Sequence, residues 1–217
     1  MFRLNGARRV GRRGLLGLLV LVAAALAVPA AANVPTAVAD SPRAALVKEG
    51  HFDLYLTKEF TAALRSAGIT PYSVVPGSQL SSWDVPVFRI PLRGGELQTN
   101  PYSGRFTGGW LHFATGGIGF RKGDQRVEFT RFDADLTRGE VRAAVNGDNL
   151  APFTVLRFRI SPDQVRLSSP VADIDGVSAR FTPEAAVLMN TAFRSQLLSS
   201  DSDAVNYSAR VILRNGQ

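Results

Sequence analysis

The chain reads as a mainly β protein, an antiparallel sandwich or barrel-like roll of about ten short strands with two short helices. Three observations predict this. Apolar residues recur at every second position in many short runs, the pattern of half-buried strands. Glycine, proline and Asn-Gly punctuation separates those runs at about the 8–12-residue spacing of sandwiches and barrels. Strands and helices nowhere alternate as βαβ units, which argues against a parallel sheet.

Taken in order, residues 40–49 read as a linker, and the β-rich domain as residues 50–217. Phe52, Leu54 and Leu56 alternate along a first strand. Thr57 is a helix cap, and Phe60, Ala63, Leu64 and Ala67 then fall on one helical face before Gly68 stops it. Ile69–Val75 is a strand, followed by a loop over Pro76–Asp84. Val85–Leu92 is a strand, placed at a sheet edge by Pro86 and Pro91, and Arg93-Gly94-Gly95-Glu96 is a tight-turn candidate. Arg105–Ala114 carries Gly108 and Gly109, which mark a bulge or bend. Turns surround Ile118–Phe120. Val127 and Phe129 are out of phase with Phe132, Ala134 and Leu136, so a bulge or break lies between them. Val141–Val145, Thr154–Ile160, Val165–Leu167, Val177–Phe181 and Asn206–Leu213 complete the strands. A second helix runs over Pro183–Gln196, capped by Thr182 with Pro183 at its first position. The two strand-into-helix joints echo each other: each has a capping threonine and a first-turn glutamate, Glu59 or Glu184.

The formal net charge of +7 first suggests nucleic acid or an anionic membrane. Its distribution changes that reading. Arg3, Arg8, Arg9, Arg12 and Arg13 precede an uncharged apolar run from Gly14 to Val28, with small residues after it. This is the composition of a secretory signal peptide over residues 1–39, with cleavage after Ala32 or Ala39. The run is about 15 residues, short of the ~20 that span a membrane, which favours cleavage over anchoring. Arg12-Arg13 also allows twin-arginine export. Losing residues 1–39 removes five positive charges and no negative ones, leaving +2. The expectation is a secreted or envelope-associated domain with no nucleic-acid partner and no membrane span in the mature chain. The absence of cysteine excludes disulfides, thiolate metal sites and a lipidated cysteine.

No catalytic motif emerges. There is no G-x-S-x-G elbow and no H-E-x-x-H, and Gly116–Gly123 fits neither a P-loop nor a dinucleotide fingerprint. Asp133/Asp135, Asp173/Asp175 and Asp201/Asp203 are D-x-D pairs that a hydrolase or a calcium site would use, but Asp175-Gly176 and Asp201-Ser-Asp203 read first as turns and solvated carboxylates are the preferred reading. Trp110-Leu-His-Phe113 is the richest patch. It reads either as a ligand wall, with Trp110 stacking and His112 binding a metal or polar group, or as a strand buried between two layers. The buried strand carries more weight. Tyr102, Trp110 and His112 are the candidate ligand-binding residues, and no catalytic or metal residue is assigned.

Several segments carry a resemblance: Ala63-Leu64 to Gly68-Ile69, the Phe88–Leu97 strand and turn, the Trp110–Phe120 hairpin and the Val177–Ala186 segment. Over about residues 50–215 the chain resembles β-rich secreted actinobacterial proteins distantly similar to HtaA-type haem-uptake domains. That resemblance implies haem as a cofactor and a tyrosine on its iron, with Tyr55, Tyr72, Tyr102 and Tyr207 available and none singled out. Without it the chain is expected to hold no cofactor. The expected function is a non-enzymatic envelope or extracellular binding module for an unidentified ligand. The alternatives are an HtaA-like haem or hydrophobic-ligand carrier, a structural or adhesive protein, and a hydrolase using a carboxylate pair.

Overall fold

The computed structural model describes residues 41–81, 84–196, 198–199 and 203–214, with the side chains of 148–151 left aside. The expected leader, residues 1–39, lies outside the described residues. The strands are β1 (Arg43–Leu56), β2 (Thr70–Val74), β3 (Ser78–Gln79), β4 (Val87–Thr99), β5 (Phe106–Phe113), β6 (Gly117–Lys122), β7 (Gln125–Asp135), β8 (Glu140–Val145), β9 (Asp148–Phe158), β10 (Val165–Ser168), β11 (Val171–Phe181) and β12 (Asp203–Leu213). The helices are α1 (Lys58–Ser66) and α2 (Pro183–Phe193). Eight strands close an antiparallel barrel in the order β1-β4-β5-β7-β8-β9-β11-β12, with β12 pairing back to β1. The barrel-like roll, mainly β with two helices, is the fold the sequence predicts; β2 and β6 extend β7, while β3 and β10 add to β4 and β11.

An eight-stranded barrel has an interior just wide enough for side chains to fill. Here aromatic rings fill it in two layers. Phe52 stacks on Tyr207 at 4.9 Å and meets Phe113 edge-on at 5.1 Å, and Phe158 and Phe132 complete that layer. Phe60, Phe120, Phe129 and Phe181 form the second, with centroids 5.6–6.3 Å apart. Phe60 comes from α1, which follows β1 directly. β1 and β11 run in the same direction, since each is antiparallel to β12, so both helices begin at the same barrel end. Thr57 Oγ1 accepts from Phe60 N and Thr182 Oγ1 from Ala185 N, each at 3.2 Å, as capping chemistry predicts.

The phase shift between Phe129 and Phe132 is a bulge: the β7–β8 register slips between Thr130 and Asp133, and Arg131 takes a φ of 52°. Four local expectations are corrected. Residues 43–49, expected as linker, belong to β1; a bulge between Val47 and Glu49 breaks the alternation that would have shown it. β4 is no edge strand, because β1 and β5 flank it. Pro91 is tolerated there because its carbonyl side faces β5 just where that strand ends, and its oxygen accepts from Ala114 N. Arg93–Glu96 is no turn but the middle of β4, bulged between Leu92 and Gly94. Asp175-Gly176 is likewise a bulge within β11, not a turn.

Outside the barrel, Asp53 is nearly buried and takes both a 2.8 Å and a 2.7 Å hydrogen bond from the Arg89 guanidinium. His51 Nε2 lies 3.9 Å from the same carboxylate. Burial, and then the Arg89 charge, lower the His51 pKa below its ordinary 6.5. A depressed histidine stabilises the fold fully above the unfolded-state value of 6.5 and loses that contribution as pH falls through the lower folded-state value. Urea unfolding at pH 7.5 and 5.5 is expected to show a smaller acid loss for His51→Gln than for the parent. Phe60→Ala removes a ring of the second layer and is expected to cost about 3–5 kcal/mol in the same assay. The Tyr207 hydroxyl is buried without a hydrogen-bond partner among the described residues, and burial raises its pKa. Tyr207→Phe is therefore expected to be neutral or stabilising.

Candidate functional site

The barrel interior offers no ligand site among the described residues. A void between the two aromatic layers measures about 10 Å³ and is walled by Leu54, Leu56, Ile118 and Phe132 among others. That is the space of roughly one water, against roughly 300–1,000 Å³ for ligand pockets. A carrier holding haem or another apolar ligand inside the barrel does not fit this structure.

Trp110 and His112 are on the outer wall. β5 alternates as predicted, with Leu111 and Phe113 pointing inward, but Trp110 and His112 face solvent. The expectation that weighed more, a strand buried between two layers, is corrected. No second sheet covers this face among the described residues. Trp110 is 40% exposed and its ring meets His112 edge-on at 4.7 Å. His112 stands directly opposite Asp133 on β7, and its Nδ1 is hydrogen-bonded to the Asp133 carboxylate. That contact orients the imidazole and leaves Nε2 for another partner.

Beside this pair lies an open groove of about 500 Å³, whose walls include Leu46, Arg93, Trp110, His112 and Arg214, with Gly94 and Gly95 between. The β4 bulge makes it. Gly95 has a φ of 156°, and a Cβ there would lie 2.4 Å from the Trp110 carbonyl oxygen, so β4 and β5 can approach only at glycine. Gly94 differs. Its backbone is not left-handed, and a Cβ would meet only the Val47 oxygen at an ordinary 3.5 Å. The fold does not need glycine at 94, yet a side chain there would project into the groove. Leu46 is 47% exposed on the far side. Arg93 and Arg214 have no ion-pair partner among the described residues.

A second groove, about 750 Å³, crosses β8, β9 and β11 and gathers Arg138, Arg157, Arg159 and Arg180. Three of these are paired: Arg138 with Asp135, Arg157 with Glu140 and Arg180 with Asp203, at 3.7, 3.6 and 2.6 Å. The arginines that look scattered along the sequence thus share a wall.

The other candidates lie elsewhere. Tyr102, 81% exposed in the β4–β5 hairpin, does not line the Trp110 groove. Tyr55 contacts the Ser208 hydroxyl, Tyr207 is inside the barrel, and Tyr72 donates to Glu128 at 2.7 Å. Burial, and then that hydrogen bond, push the Tyr72 pKa up to about 12. The described D-x-D carboxylates do not converge. Asp133 meets His112, Asp135 caps the turn at Thr137 and Arg138, Asp173 lies 3.4 Å from Arg210, and Asp175 pairs with Arg166. Asp203 pairs with Arg180, and Asp201 lies outside the described residues. Asp175 and Asp203 lie within strands and pair with arginines, rather than in the turns expected of them. No protein-family model matches the chain, and no curated protein is significantly similar to it.

Sequence reasoning singled out Trp110 and His112 but missed Leu46, Arg93, Gly94 and Arg214. The signal for Gly94 was available as the Gly94-Gly95 doublet, which turn chemistry explained equally well. Gly95→Ala is expected to lower the urea midpoint sharply, while Gly94→Ala stays within about 1 kcal/mol of the parent, because only the first forces backbone apart.

Proposed function

We propose that this is an exported, non-enzymatic binding module of the envelope or extracellular space, which takes its ligand on the outer wall in the Trp110–His112 groove. The observation that supports this reading is Gly94. A residue that the backbone does not require to be glycine is nonetheless glycine, beside an exposed tryptophan. The basic head and apolar run of residues 1–39 support export. No helix among the described residues is long and apolar enough to cross a membrane.

One observation favours the HtaA-like alternative. A histidine held through Nδ1 by a carboxylate is how proteins present Nε2 to a metal, and Arg93 and Arg214 would suit haem propionates on the open wall. The same groove then serves a different ligand.

Trp83→Phe leaves Trp110 as the chain's only tryptophan and therefore its reporter. Titration with haemin, soluble polysaccharides and peptides is expected to give saturable quenching with at least one ligand, abolished by Gly94→Leu. Quenching that Gly94→Leu leaves intact, or none at all, would sink the groove as the binding site. Haemin is expected to give no Soret shift that depends on His112. A shift lost in His112→Ala would instead establish the haem alternative.

A further inference from the structure

We infer that the ligand of the Trp110 groove is an acidic glycan, a polymer of sugar rings carrying carboxylates. The inference rests on the groove being the binding site, and names the chemistry that site is built to take.

Three features carry it. First, the groove is open to solvent, whereas small ligands are held in concavities that bury most of their surface. An open groove suits a chain that lies along the surface and keeps its far side in water. Second, the apolar surface is a platform rather than a pocket. Trp110 and Leu46 present exposed apolar surface across the glycine floor, and a sugar ring's C–H face lies flat on such a surface while its hydroxyls stay hydrated. Third, the charged side chains that line the groove are arginines, and Glu96, cross-strand between Leu46 and Trp110, is held by a hydrogen bond from Gln98 at 2.9 Å. Arg93 and Arg214 line the groove without carboxylate partners among the described residues, and the Asp133 carboxylate opposite His112 is already bound to that imidazole. Guanidinium groups match carboxylates in planar geometry, so a uronate ring stacked on Trp110 places its anion between them.

The arginine groove on β8, β9 and β11 is the comparison that decides. It has more arginines, but Asp135, Glu140 and Asp203 already occupy three of them, and Phe158 is its only aromatic lining residue. Of its arginines, Arg159 alone is left without an ion pair among the described residues, and the exposed aromatic platform is missing.

The test is calorimetric titration of the purified protein at low salt with three probes: oligogalacturonate, uncharged dextran of the same length, and polyphosphate. Oligogalacturonate is expected to bind saturably, at least tenfold tighter than dextran and more weakly as salt rises. Arg93→Gln and Arg214→Gln are each expected to weaken it about tenfold, and Trp110→Ala and Gly94→Leu to abolish it. Thermal melts of each variant, with Gly94→Ser and Trp110→Phe as milder changes at the same positions, separate lost binding from lost folding. Dextran binding as tightly as oligogalacturonate, with both still lost in Gly94→Leu, would overturn the acidic class and keep the groove. Polyphosphate matching oligogalacturonate, with Trp110→Ala harmless to both, would reduce the site to charge and overturn the glycan. Oligogalacturonate binding that survives both Trp110→Ala and Gly94→Leu would overturn the groove itself. No binding of oligogalacturonate overturns the inference outright.

Discussion

Everything about this molecule follows from a barrel interior that its own aromatic side chains fill. Two layers of rings, one around Phe52 and Tyr207 and one around Phe60 and Phe181, occupy the space an eight-stranded barrel encloses. Both helices start at the Phe60 end, and α1 contributes that ring to the filling. With no cysteine to cross-link it, the fold is held by this packing. An interior used for stability is not available for a ligand, and the binding site proposed for this chain therefore lies on the outer wall.

An outer wall of antiparallel strands is convex, and a smooth one would offer a ligand little. Irregularities make the difference. The β4 bulge at Leu92–Gly94 bends the strand, Gly95 lets β5 approach, and Gly94 leaves the resulting groove open. Asp133 then holds His112, and His112 meets the edge of Trp110, so an exposed aromatic is oriented by its neighbours on two strands. Elsewhere on the wall several charges are matched across strands, as in Asp53–Arg89, Asp173–Arg210 and Arg180–Asp203. In the groove, Arg93 and Arg214 have no ion-pair partner among the described residues and stand beside an exposed tryptophan.

The features legible in the sequence are those set within a few residues. Thr57 and Thr182 cap their helices because a threonine hydroxyl reaches the amide three residues on, whatever lies around it. The slip between Phe129 and Phe132 announces a bulge because side-chain period is local. The errors fall where one dipeptide has two uses. Gly94-Gly95 and Asp175-Gly176 suit a turn as well as a bulge, and the choice depends on whether partner strands continue on both sides. Pro91 marks an edge in general, but here it lies where β5 has already ended.

From the sequence alone came the all-antiparallel β class, the two capped helices, the outline of most strands and the pairing of Trp110 with His112 on one face. Each is a statement about periodicity or a short-range hydrogen bond. The tertiary structure decided which face of β5 meets water, because alternation separates two faces without saying whether another layer covers either. It also assembled the groove. Leu46 and Arg214 stand at opposite ends of the domain's sequence, and only the β1–β12 closure, where Arg214 N donates to the Leu46 oxygen, brings them beside Trp110. Strand register carries that information, and register is a property of the closed barrel rather than of any one segment.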